Sequence, residues 1–494
     1  MIANRGEIAV RLVRALRDAN VTSIAVFSDA DRNGLHVRMA DEAERIGPAP
    51  SSESYLAIDR ILDAAKKHGA DAIHPGYGFL SENAGFAAAC EEDGVAFIGP
   101  SADAIRRLGS KTAARTLAKE VGVPVVPGSE ERVTQLDNAR RLAQSLGYPV
   151  LIKAAAGGGG KGMRRVDSED ELESAIREAA SEAERAFHNS EIYLEKLIEK
   201  PRHIEIQIAG DRHGNLVYLG ERECSLQRRH QKIVEECPSP FVARHPELRR
   251  AMGEAALRIA RAANYSNLGT LEFLVDTHGN FYFLEVNTRL QVEHPVTELV
   301  TGHDLVQLQL RIAAGERLPF QQDDIAWRGW AMECRVTAED PENQFFPSPG
   351  KIVQLREPAG PHVRVDSGVY AGWTVPIEYD SLLAKLIAWG PERDTAIQRL
   401  LRALAEYSIV GVETNLRFFG ELLRDSEFRE GNLHTEFIAK FFDRRSAPAE
   451  PAEEIKMAVA LAAATHAANG RQEIRIDRDA ASPWLQAGRD QMLR

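Results

Sequence analysis

Long apolar runs are missing from this sequence. No uninterrupted apolar stretch in its 494 residues approaches the ~18 residues that a membrane span requires. The first dozen residues already include Arg5, Glu7 and Arg11, where a secretory signal would be apolar. The sequence therefore predicts a cytoplasmic protein with no membrane partner.

Cysteine is also scarce. The four cysteines show no CxxC spacing, and so few over this length suit a reducing compartment. We expect free thiols and no zinc site at Cys90, Cys224, Cys237 and Cys334.

An excess of positive charge is absent as well. The chain has 61 Lys and Arg residues against 73 Asp and Glu residues, which gives a net charge of -12. This balance argues against nucleic acid as a partner, because phosphate backbones require basic surfaces.

Hydrophobic residues at 44% and charged residues at 27% are typical of a globular protein. At ~150 residues per domain, the length predicts about three domains.

The N-terminal part of the chain alternates strand-like and helix-like segments. Apolar runs at 2–4, 23–27, 71–75 and 95–99 are separated by helical stretches. This alternation predicts a doubly wound parallel sheet covered by helices, with a boundary near residue 110.

After residue 110 the pattern changes. Residues 129 to about 205 have the helix, strand and glycine-loop pattern of a small α+β unit. After Pro201, and again after Pro319, apolar residues alternate with period two, as in antiparallel strands. Residues 446–454 have the Ala, Pro and Glu composition of a linker. The sequence therefore predicts a multidomain protein of the α/β and α+β classes.

A run of glycines follows the apolar strand that contains Lys153. With four glycines at 157–160, backbone amides there can approach an anion such as phosphate closely. The run is not a P-loop, because Gly162 and Met163 follow Lys161 where Ser or Thr is required, and a strand comes next. A plain flexible loop is the alternative. Lys153 favours a phosphate site, since its cation could meet the same phosphate.

The most informative local geometry is a predicted hairpin with its turn at His278-Gly279. A symmetric turn there places Glu272 opposite Glu285, at a Cβ separation of ~5 Å where like charges destabilise a sheet. A bridging cation would remove this repulsion, and carboxylate oxygens suit Mg²⁺ together with nucleotide phosphates. The alternative is two solvated glutamates, or a register that slips by one residue.

Polar residues continue at alternate positions beyond this hairpin. Any strand that continued here would place five polar groups on one face, in the order acid, amide, cation, amide, acid, until His294-Pro295 ends it. A solvated edge strand is one interpretation. The lack of lysine, and the direct continuation from a metal-binding carboxylate, favour a site instead. The five residues are Glu285, Asn287, Arg289, Gln291 and Glu293.

Two further segments allow both a functional and a structural interpretation. His74-Pro75-Gly76-Tyr77-Gly78 lies at the carboxyl end of a predicted strand, where open α/β sheets bind ligands, or is a tight structural turn. A second segment could bind small anions, but nearby glutamates could equally neutralise it as a surface patch. Its basic residues are Arg222, Arg228, Arg229, His230 and Lys232.

Six motifs occur in one colinear order: ANRGEIAVR at 3–11, HPGYGFLSEN at 74–83, KAAAGGGGKGMR at 153–164, ERECSLQRRHQKIVEE at 221–236, EVNTRLQVEHPVTE at 285–298 and ECRVTAEDP at 333–341. Over residues 1 to about 445, the chain closely resembles biotin carboxylase. This is the ATP-grasp component of acetyl-CoA, propionyl-CoA and related acyl-CoA carboxylases. Relatives carry several more residues before the first motif, so the first strand is expected to be shortened at Met1.

The resemblance implies a reaction in which ATP, a magnesium or manganese ion and bicarbonate carboxylate N1 of biotin on a carrier protein. Glu272, Glu285 and Asn287 would hold the metal, in agreement with the hairpin argument. The residues that would surround the nucleotide are Lys111, Lys153, Gly159, Gly160, Glu195, Lys196, Ile198, His203 and His230.

The resemblance also implies the catalytic roles. Lys232, Arg289 and the backbone of Val292 would hold bicarbonate, and Glu293 would deprotonate it for attack on the γ-phosphate. The resulting carboxyphosphate would break down to carbon dioxide and phosphate. Arg335 would stabilise the biotin enolate, a charge that develops only in the transition state. The biotin pocket would include Tyr77, Gly78 and Gln227.

The domains implied by the resemblance are an N-terminal α/β domain at 1–110, an ATP-grasp domain at 111–315 with a mobile lid at about 130–205, and a β-rich C-terminal domain at 328–440 that closes the site. A linker and C-terminal extension at 446–494 would follow.

The expected partners are a biotin carboxyl carrier protein or domain and a carboxyltransferase subunit, and the common assembly of the family is a homodimer. We expect biotin on another polypeptide, because the Ala-rich surroundings of Lys456 do not resemble a β-rich carrier module. Another ATP-grasp carboxylate-amine ligase and an inactive scaffold are the alternatives. A scaffold would be expected to lose one of four residues that are all present, namely Lys232, Arg289, Glu293 and Arg335.

Overall fold

A computed structural model describes residues 1–129, 136–154, 163–187, 191–229, 231–445 and 453–469 of the protein. The chain divides into two compact units, Met1–Phe441 and Phe442–Arg494. All the site residues predicted from the sequence belong to the first unit.

The N-terminal segment alternates helices and strands in the order α1 (Gly6–Asp18), β1 (Ile24–Ser28), α2 (Leu35–Met39), β2 (Glu42–Gly47), α3 (Ile58–His68), β3 (Ala72–Ile73), α4 (Ala84–Glu92), β4 (Ala96–Phe97) and α5 (Ala102–Gly109). Strand β1 pairs with β2, and β3 with β4, both in parallel. Ile2 forms parallel bridges to Ala25 and to His74, and so connects the two pairs. The expected parallel α/β arrangement is confirmed.

The next segment contains α6 (Lys111–Glu120), α7 (Leu136–Leu146), β5 (Val150–Ala154), β6 (Met163–Val166), α8 (Glu169–Phe187) and β7 (Ile192–Lys196). Its three strands form an antiparallel sheet in the order β6-β5-β7. Buried side chains of α7 and α8 pack against Val150 and Ile152 of β5. The predicted α+β unit is therefore present, and the glycines at 157–160 lie outside the described residues.

A third segment consists of β8 (Arg202–Gly210), β9 (Leu216–Arg228), β10 (Gln231–Cys237), α9 (Pro246–Ala262), β11 (Asn267–Val275), β12 (Phe281–Asn287), α10 (His294–Thr301) and α11 (Leu305–Ala313). The isoleucines at 204, 206 and 208 of β8 are fully buried in the core that includes apolar residues of α9. The alternating polar residues His203, Glu205 and Gln207 are also buried. Because successive side chains of a strand point to opposite faces, β8 carries an apolar face and an enclosed polar face.

The last segment contains β13 (Trp330–Thr337), β14 (Glu339–Asp340), β15 (Phe346–Pro347), β16 (Gly350–Lys351), β17 (Gln354–Arg356), β18 (Val363–Ser367), β19 (Thr374–Val375), β20 (Leu382–Gly390), α12 (Arg393–Glu406), β21 (Ser408–Val410), α13 (Leu416–Leu422), α14 (Ser426–Glu430), α15 (Phe437–Arg444) and α16 (Glu453–Asn469). Three of these strands extend the preceding sheet, whose order is β12-β11-β8-β9-β10-β13-β20-β18. The contact between β10 and β13 pairs Val234 with Cys334. The period-two pattern indicated β13 and β18 but not β20, and it carried no information about this distant partner.

Helix α16 is the described helix of the second unit. It begins at Glu453, inside the segment 446–454 that the composition assigned to a linker, and residues 446–452 of that segment lie outside the described residues. Met457, Val459 and Leu461 of this helix are exposed. Among the described residues, no helix combines the length and apolar character needed to cross a bilayer.

Candidate active site

Three glutamates stand side by side across the large sheet. The register pairs Glu205 on β8 with Glu272 on β11, and Glu272 with Glu285 on β12. The predicted pairing of Glu272 with Glu285 is confirmed, whereas the sequence analysis did not include Glu205. Side chains directly opposite on neighbouring strands lie close together, so this row concentrates negative charge. We refer to Glu205, Glu272 and Glu285 as the carboxylate row of the candidate site.

The hairpin reaches this register through an irregularity. Next to the turn, Phe273 pairs with Phe283, which is one position away from the register of a symmetric turn at His278-Gly279. A register shift between Glu272 and Phe273 then brings Glu285 opposite Glu272. A β-bulge of this kind re-aims side chains near a site. The predicted pair was therefore right, although the symmetric turn behind it was wrong.

Lys232 on β10 compensates the row of carboxylates. Its ammonium nitrogen donates to Glu205 at 2.6 Å and to Glu272 at 2.7 Å. A third carboxylate, that of Glu293, lies 2.9 Å away. Burial would lower the pKa of Lys232, but the attraction of Glu205 and the other carboxylates is stronger and raises this pKa well above its usual value. The lysine is therefore a permanent, fixed cation.

Glu293 lies between two cations. One carboxylate oxygen accepts a hydrogen bond from Lys232, and the other accepts one from Nη2 of Arg335 at 2.8 Å. Burial would raise the pKa of Glu293, but Lys232 and Arg335 outweigh burial and hold this pKa well below its usual range. Glu293 is therefore ionised near neutral pH.

Arg335 on β13 is itself held by a second glutamate. Its Nε donates to Glu235 at 2.6 Å. Burial raises the pKa of Glu235 to about 7, although the charge of Arg335 opposes this rise. Arg335 therefore lies between Glu235 and Glu293, with its guanidinium plane fixed by both.

The polar residues after Glu285 do not lie on one strand face. Strand β12 ends at Asn287 and α10 begins at His294, so the polar strand that the alternation allowed does not continue. The side chains still converge: Asn287 and Gln291 donate to Glu272 at 2.9 Å and 3.2 Å. Arg289 donates to Asn287 at 3.0 Å. An irregular backbone, rather than a strand, brings these groups together.

The oxygen ligands proposed for a metal fit Mg²⁺. Glu272 and Glu285 are register partners, and the amide NH2 of Asn287 donates to Glu272 while its oxygen accepts from Arg289. Carboxylate and amide oxygens are the ligands that magnesium prefers. His203, Glu205 and Glu272 also have ligand atoms within 4.8 Å of one another. We favour the set that includes Glu285, because Glu272 and Glu285 are direct register partners and Asn287 lies on the same strand as Glu285.

Several residues assigned to the nucleotide are paired with carboxylates in the structure. Lys111 lies 2.8 Å from Glu285, and Lys153 lies 2.5 Å from Glu195. Arg115, which the sequence analysis did not include, also binds Glu195. Burial would raise the pKa of Glu195, but Lys153 and Arg115 lower it. Lys111 thus contacts the carboxylate row, whereas Lys153 and Arg115 share a carboxylate of the α+β unit.

The other nucleotide residues divide into four groups. Nε2 of His203 lies 3.1 Å from the Glu272 carboxylate, so His203 lies beside the carboxylate row. Lys196 donates to the carbonyl oxygens of Gly147 at 2.8 Å and Tyr148 at 3.3 Å, so its amine is anchored to backbone. Ile198 is half-buried. Gly159, Gly160 and His230 lie outside the described residues.

In the segment His74-Pro75-Gly76-Tyr77-Gly78, His74 stabilises a structural turn, whereas Tyr77 and Gly78 are at least partly accessible to solvent. Nδ1 of His74 accepts the Gly76 N–H at 3.0 Å, and Nε2 lies 3.1 Å from Gln309. Burial lowers the pKa of His74 to about 3, so this histidine is neutral and structural. Tyr77 is half-buried and Gly78 is exposed. Gln227, also assigned to biotin, donates to the Cys224 carbonyl at 2.9 Å.

The basic cluster at 222–232 is not the surface patch that one interpretation suggested. Arg222 is fully buried and donates to Glu205 and, at 2.7 Å, to Gln207, while Arg229 is exposed. Arg222 lies in the part of β9 that is buried on both faces, whereas Arg229 follows the last residue of that strand. The nearby glutamates are buried as well, at 221, 223, 235 and 236.

Besides Arg115, the sequence analysis missed three residues in or next to the site. Glu205 could have been found, because His203, Glu205 and Gln207 alternate with isoleucines along β8. Glu82 accepts hydrogen bonds from the side chain of Arg289 and from the backbone N–H of Thr288, both at 2.9 Å. Glu82 lies in the motif HPGYGFLSEN at 74–83, but nothing in the sequence around it indicates a contact with Arg289. Lys385, described below, gave no signal beyond being a lysine in an apolar strand.

Three family models match the chain in succession: "Biotin carboxylase, N-terminal domain" over residues 1–105, "Carbamoyl-phosphate synthase L chain, ATP binding domain" over 110–321, and "Biotin carboxylase C-terminal domain" over 333–440. The chain is 52% identical to a biotin carboxylase of Nostoc over 438 residues, which are 89% of this chain and 98% of that protein. It is also 52% identical to a pyruvate carboxylase subunit of Methanothermobacter thermautotrophicus over 456 residues, 92% of each chain.

Solved structures agree with these matches. The biotin carboxylase domain dimer of Hydrogenobacter thermophilus 2-oxoglutarate carboxylase, in complex with MgADP, ADP and bicarbonate, has a TM-score of 0.82 and 45% identity, covering 89% of this chain and 96% of that one. A Campylobacter jejuni biotin carboxylase bound to a β-γ-ATP ligand has a TM-score of 0.83 and 45% identity, covering 89% and 98%. With its N-terminal, ATP-grasp and C-terminal domains, the chain belongs to the biotin carboxylase family and is an ATP-dependent ligase.

Proposed function

We propose that this protein carboxylates N1 of carrier-bound biotin with ATP and bicarbonate, through carboxyphosphate. The observation that carries the proposal is the chain of contacts from the carboxylate row through Lys232 to Glu293 and Arg335. These contacts bring a cation, an ionised carboxylate and a second cation together in one buried cluster. Phosphoryl transfer between anions needs this combination of positioning and charge neutralisation.

In the first step, Lys232, Arg289 and the Val292 N–H hold bicarbonate beside Glu293. The Glu293 carboxylate takes the bicarbonate proton, and a bicarbonate oxygen attacks the γ-phosphorus of ATP. The bond from that phosphorus to the bridging oxygen breaks, and ADP leaves. When bound, Mg²⁺ (or Mn²⁺) neutralises phosphate charge, and Glu272, Glu285 and Asn287 hold it.

Nucleotide binding requires several cations to exchange partners. In this proposal Lys111 leaves Glu285 for a phosphate, and Lys153 leaves Glu195 in the same way. Glu195, Lys196 and Ile198 border adenine, and His203 lies next to the metal carboxylates. The glycines at 159–160 would close over the phosphates, and His230 would complete the pocket.

In the second step, carboxyphosphate breaks down to carbon dioxide and phosphate, and phosphate removes the N1 proton of biotin. Arg335 stabilises the enolate oxygen that results, because its guanidinium is fixed before the charge develops. Tyr77, Gly78 and Gln227 line the biotin pocket. The deprotonated N1 then attacks carbon dioxide.

We assign these tasks to a domain at 1–110, an ATP-grasp domain at 111–315 with its lid at about 130–205, a closing domain at 328–440 and a linker with extension at 446–494. The partners we propose are a biotin carboxyl carrier and a carboxyltransferase subunit, with a homodimer as the assembly. A cytoplasmic location would suit the four free, buried cysteines.

The test is ATP hydrolysis with bicarbonate and biotin each present or omitted, combined with bicarbonate labelled with ¹⁸O. The proposal predicts that hydrolysis requires both bicarbonate and biotin. It also predicts one ¹⁸O atom per phosphate released, because the attacking oxygen stays on phosphorus when the C–O bond of carboxyphosphate breaks.

Two results would contradict the proposal. Hydrolysis with bicarbonate but without stimulation by free biotin or a biotinylated carrier would indicate another carboxylate-amine ligase. A folded protein that binds nucleotide but hydrolyses none under any of these conditions would indicate a scaffold. The presence of all four residues at 232, 289, 293 and 335, together in one site, favours the enzyme over the scaffold.

A further inference from the structure

Lys385 is a fully buried cation that the mechanism above does not use. It lies in the middle of β20, with no exposed surface. The register places Arg335 of β13 opposite it on one side and Asp366 of β18 opposite it on the other. A buried lysine is costly unless it is paired, and two cations directly opposite in a sheet repel each other. The buried ammonium of Lys385 therefore requires a hydrogen-bond acceptor and a compensating negative charge nearby.

The strongest hydrogen bond of Lys385 is to the active-site backbone. Its Nζ donates to the carbonyl oxygen of Val292 at 2.9 Å. Two buried carboxylates compensate its charge at longer range, Glu7 of α1 at 3.3 Å and Asp366 at 3.7 Å. Lys385 thus connects the N-terminal segment, the last strands of the sheet and the loop that carries Val292.

The peptide that Lys385 holds is the one that joins Val292 to Glu293. Residues 288–293 lie between β12, which ends at Asn287, and α10, which begins at His294. Their backbone is held by turn contacts, such as the His294 N–H to the Gln291 carbonyl at 3.3 Å and the Val296 N–H to the Glu293 carbonyl at 3.4 Å, and Lys385 adds a charged donor to the Val292 carbonyl. A hydrogen bond from a charged donor is stronger than a neutral one and fixes the plane of the peptide that accepts it. This plane sets the direction of the Glu293 backbone and, through Val292, of the N–H assigned to bicarbonate.

We propose that Lys385 is a positioning residue for the bicarbonate step: its ammonium holds the Val292 carbonyl so that the Val292 N–H and the Glu293 carboxylate face bicarbonate together. Asp366 supplies most of the negative charge that keeps this lysine in the core, because Arg364 and Lys385 outweigh burial there, whereas burial raises the pKa of Glu7 to about 7. The inference rests on the proposed function, because it concerns how the bicarbonate site is held.

The test compares Lys385→Met, which removes the donor and the charge, with Lys385→Arg and Lys385→Gln, which keep a donor. In Lys385→Met the KM for bicarbonate should rise by about 10- to 100-fold, the range expected for loss of a charged hydrogen bond, with the KM for MgATP within about 2-fold. Lys385→Arg should recover most of the bicarbonate affinity, and Lys385→Gln part of it. If the lysine were purely structural, its loss would not raise the KM for bicarbonate while leaving the KM for MgATP unchanged.

Arg249→Met is the matched control. Arg249 binds the fully buried carboxylate of Glu221 at 2.6 Å and 2.9 Å, away from bicarbonate. This variant should lower the thermal midpoint while its KM for bicarbonate stays within about 2-fold of the wild-type value. An equal rise in KM in Arg249→Met and Lys385→Met would refute the positioning role.

The remaining outcomes separate the two proposals. A wild-type protein without bicarbonate-dependent hydrolysis overturns the proposed function and this inference with it. A bicarbonate-dependent wild type whose Lys385→Met variant keeps the same KM overturns only the role of Lys385. If Lys385→Met does not fold, Lys385→Gln decides the question, because an unchanged KM for bicarbonate in that variant is equally contrary to the proposal.

Discussion

Replacing Glu293 with glutamine tests the centre of the proposed mechanism. Glutamine keeps the size of the side chain but removes its charge and its ability to accept a proton. In the structure both carboxylate oxygens of Glu293 accept hydrogen bonds from cations, Lys232 and Arg335. The glutamine amide has only one acceptor oxygen, so its NH2 group must face one of these donors. We therefore expect a folded but less stable protein.

The size of the catalytic effect follows from the role of a general base. Loss of a positioned base typically lowers the rate by about 100- to 10,000-fold, which corresponds to ~3–5 kcal/mol of activation free energy. Binding of ATP should change little. The contact network around Lys232 and Arg335 holds four carboxylates and three cations, so removing one carboxylate does not repel an anionic nucleotide more strongly. These groups are Glu205, Glu235, Glu272 and Glu293 with Arg222, Lys232 and Arg335.

The assay is bicarbonate-dependent phosphate release in the presence of biotin, together with nucleotide affinity measured by titration. Glu221→Gln serves as the control, because Glu221 is also a buried glutamate held by an arginine but lies outside the site. We expect Glu293→Gln to lose turnover by at least about 100-fold and to keep its ATP affinity within about 3-fold. Turnover within a few-fold of wild type would refute the assignment of Glu293 as the base.

Three further predictions concern neighbouring groups. Arg335→Ala should lower kcat/KM for biotin by about 100- to 1,000-fold and change the KM for ATP much less; equal losses in steady-state kinetics would indicate a structural role. Glu272→Gln should raise the Mg²⁺ concentration needed for half-maximal activity by at least about 10-fold, which a magnesium titration at fixed ATP would measure. His74→Gln should reduce the loss of stability on acidification. The pKa of His74 falls from 6.5 in the unfolded chain to about 3 in the fold, so the wild type loses stability as the pH falls below about 6.5. Between about pH 7.5 and pH 5 this loss is ~2 kcal/mol, and denaturant unfolding of both proteins at the two pH values would detect its absence in the variant.

Local patterns predicted a large part of the site. The pairing of Glu272 with Glu285 was predicted from the position of the turn and the number of residues on each side of it. The convergence of Asn287, Arg289, Gln291 and Glu293 was predicted from their alternation with apolar residues. The details differed because one bulged residue changes which side chains face each other. Alternation of polarity also describes an irregular segment whose side chains meet by tertiary contacts, and periodicity alone cannot distinguish it from a strand.

Buried charge was the hardest feature to anticipate. Arg222 and Lys232 looked like members of a surface patch, because charged side chains are seldom fully buried. Their burial becomes possible only when Glu205 and Glu272, from other strands, supply hydrogen bonds and opposite charge. These partners are distant in sequence, so only the assembled sheet brings them together.

The sequence by itself determined the class of each segment, the order of the domains and the residue types available for catalysis, because helix and strand periodicity and motif spacing are properties of neighbouring residues. The tertiary structure alone decided that β13, β18 and β20 extend one sheet with β8–β12. It also decided that Glu82 holds Arg289 and that Lys385 holds Val292. Such contacts depend on how separate elements pack, and packing joins residues between which the chain carries no local signal.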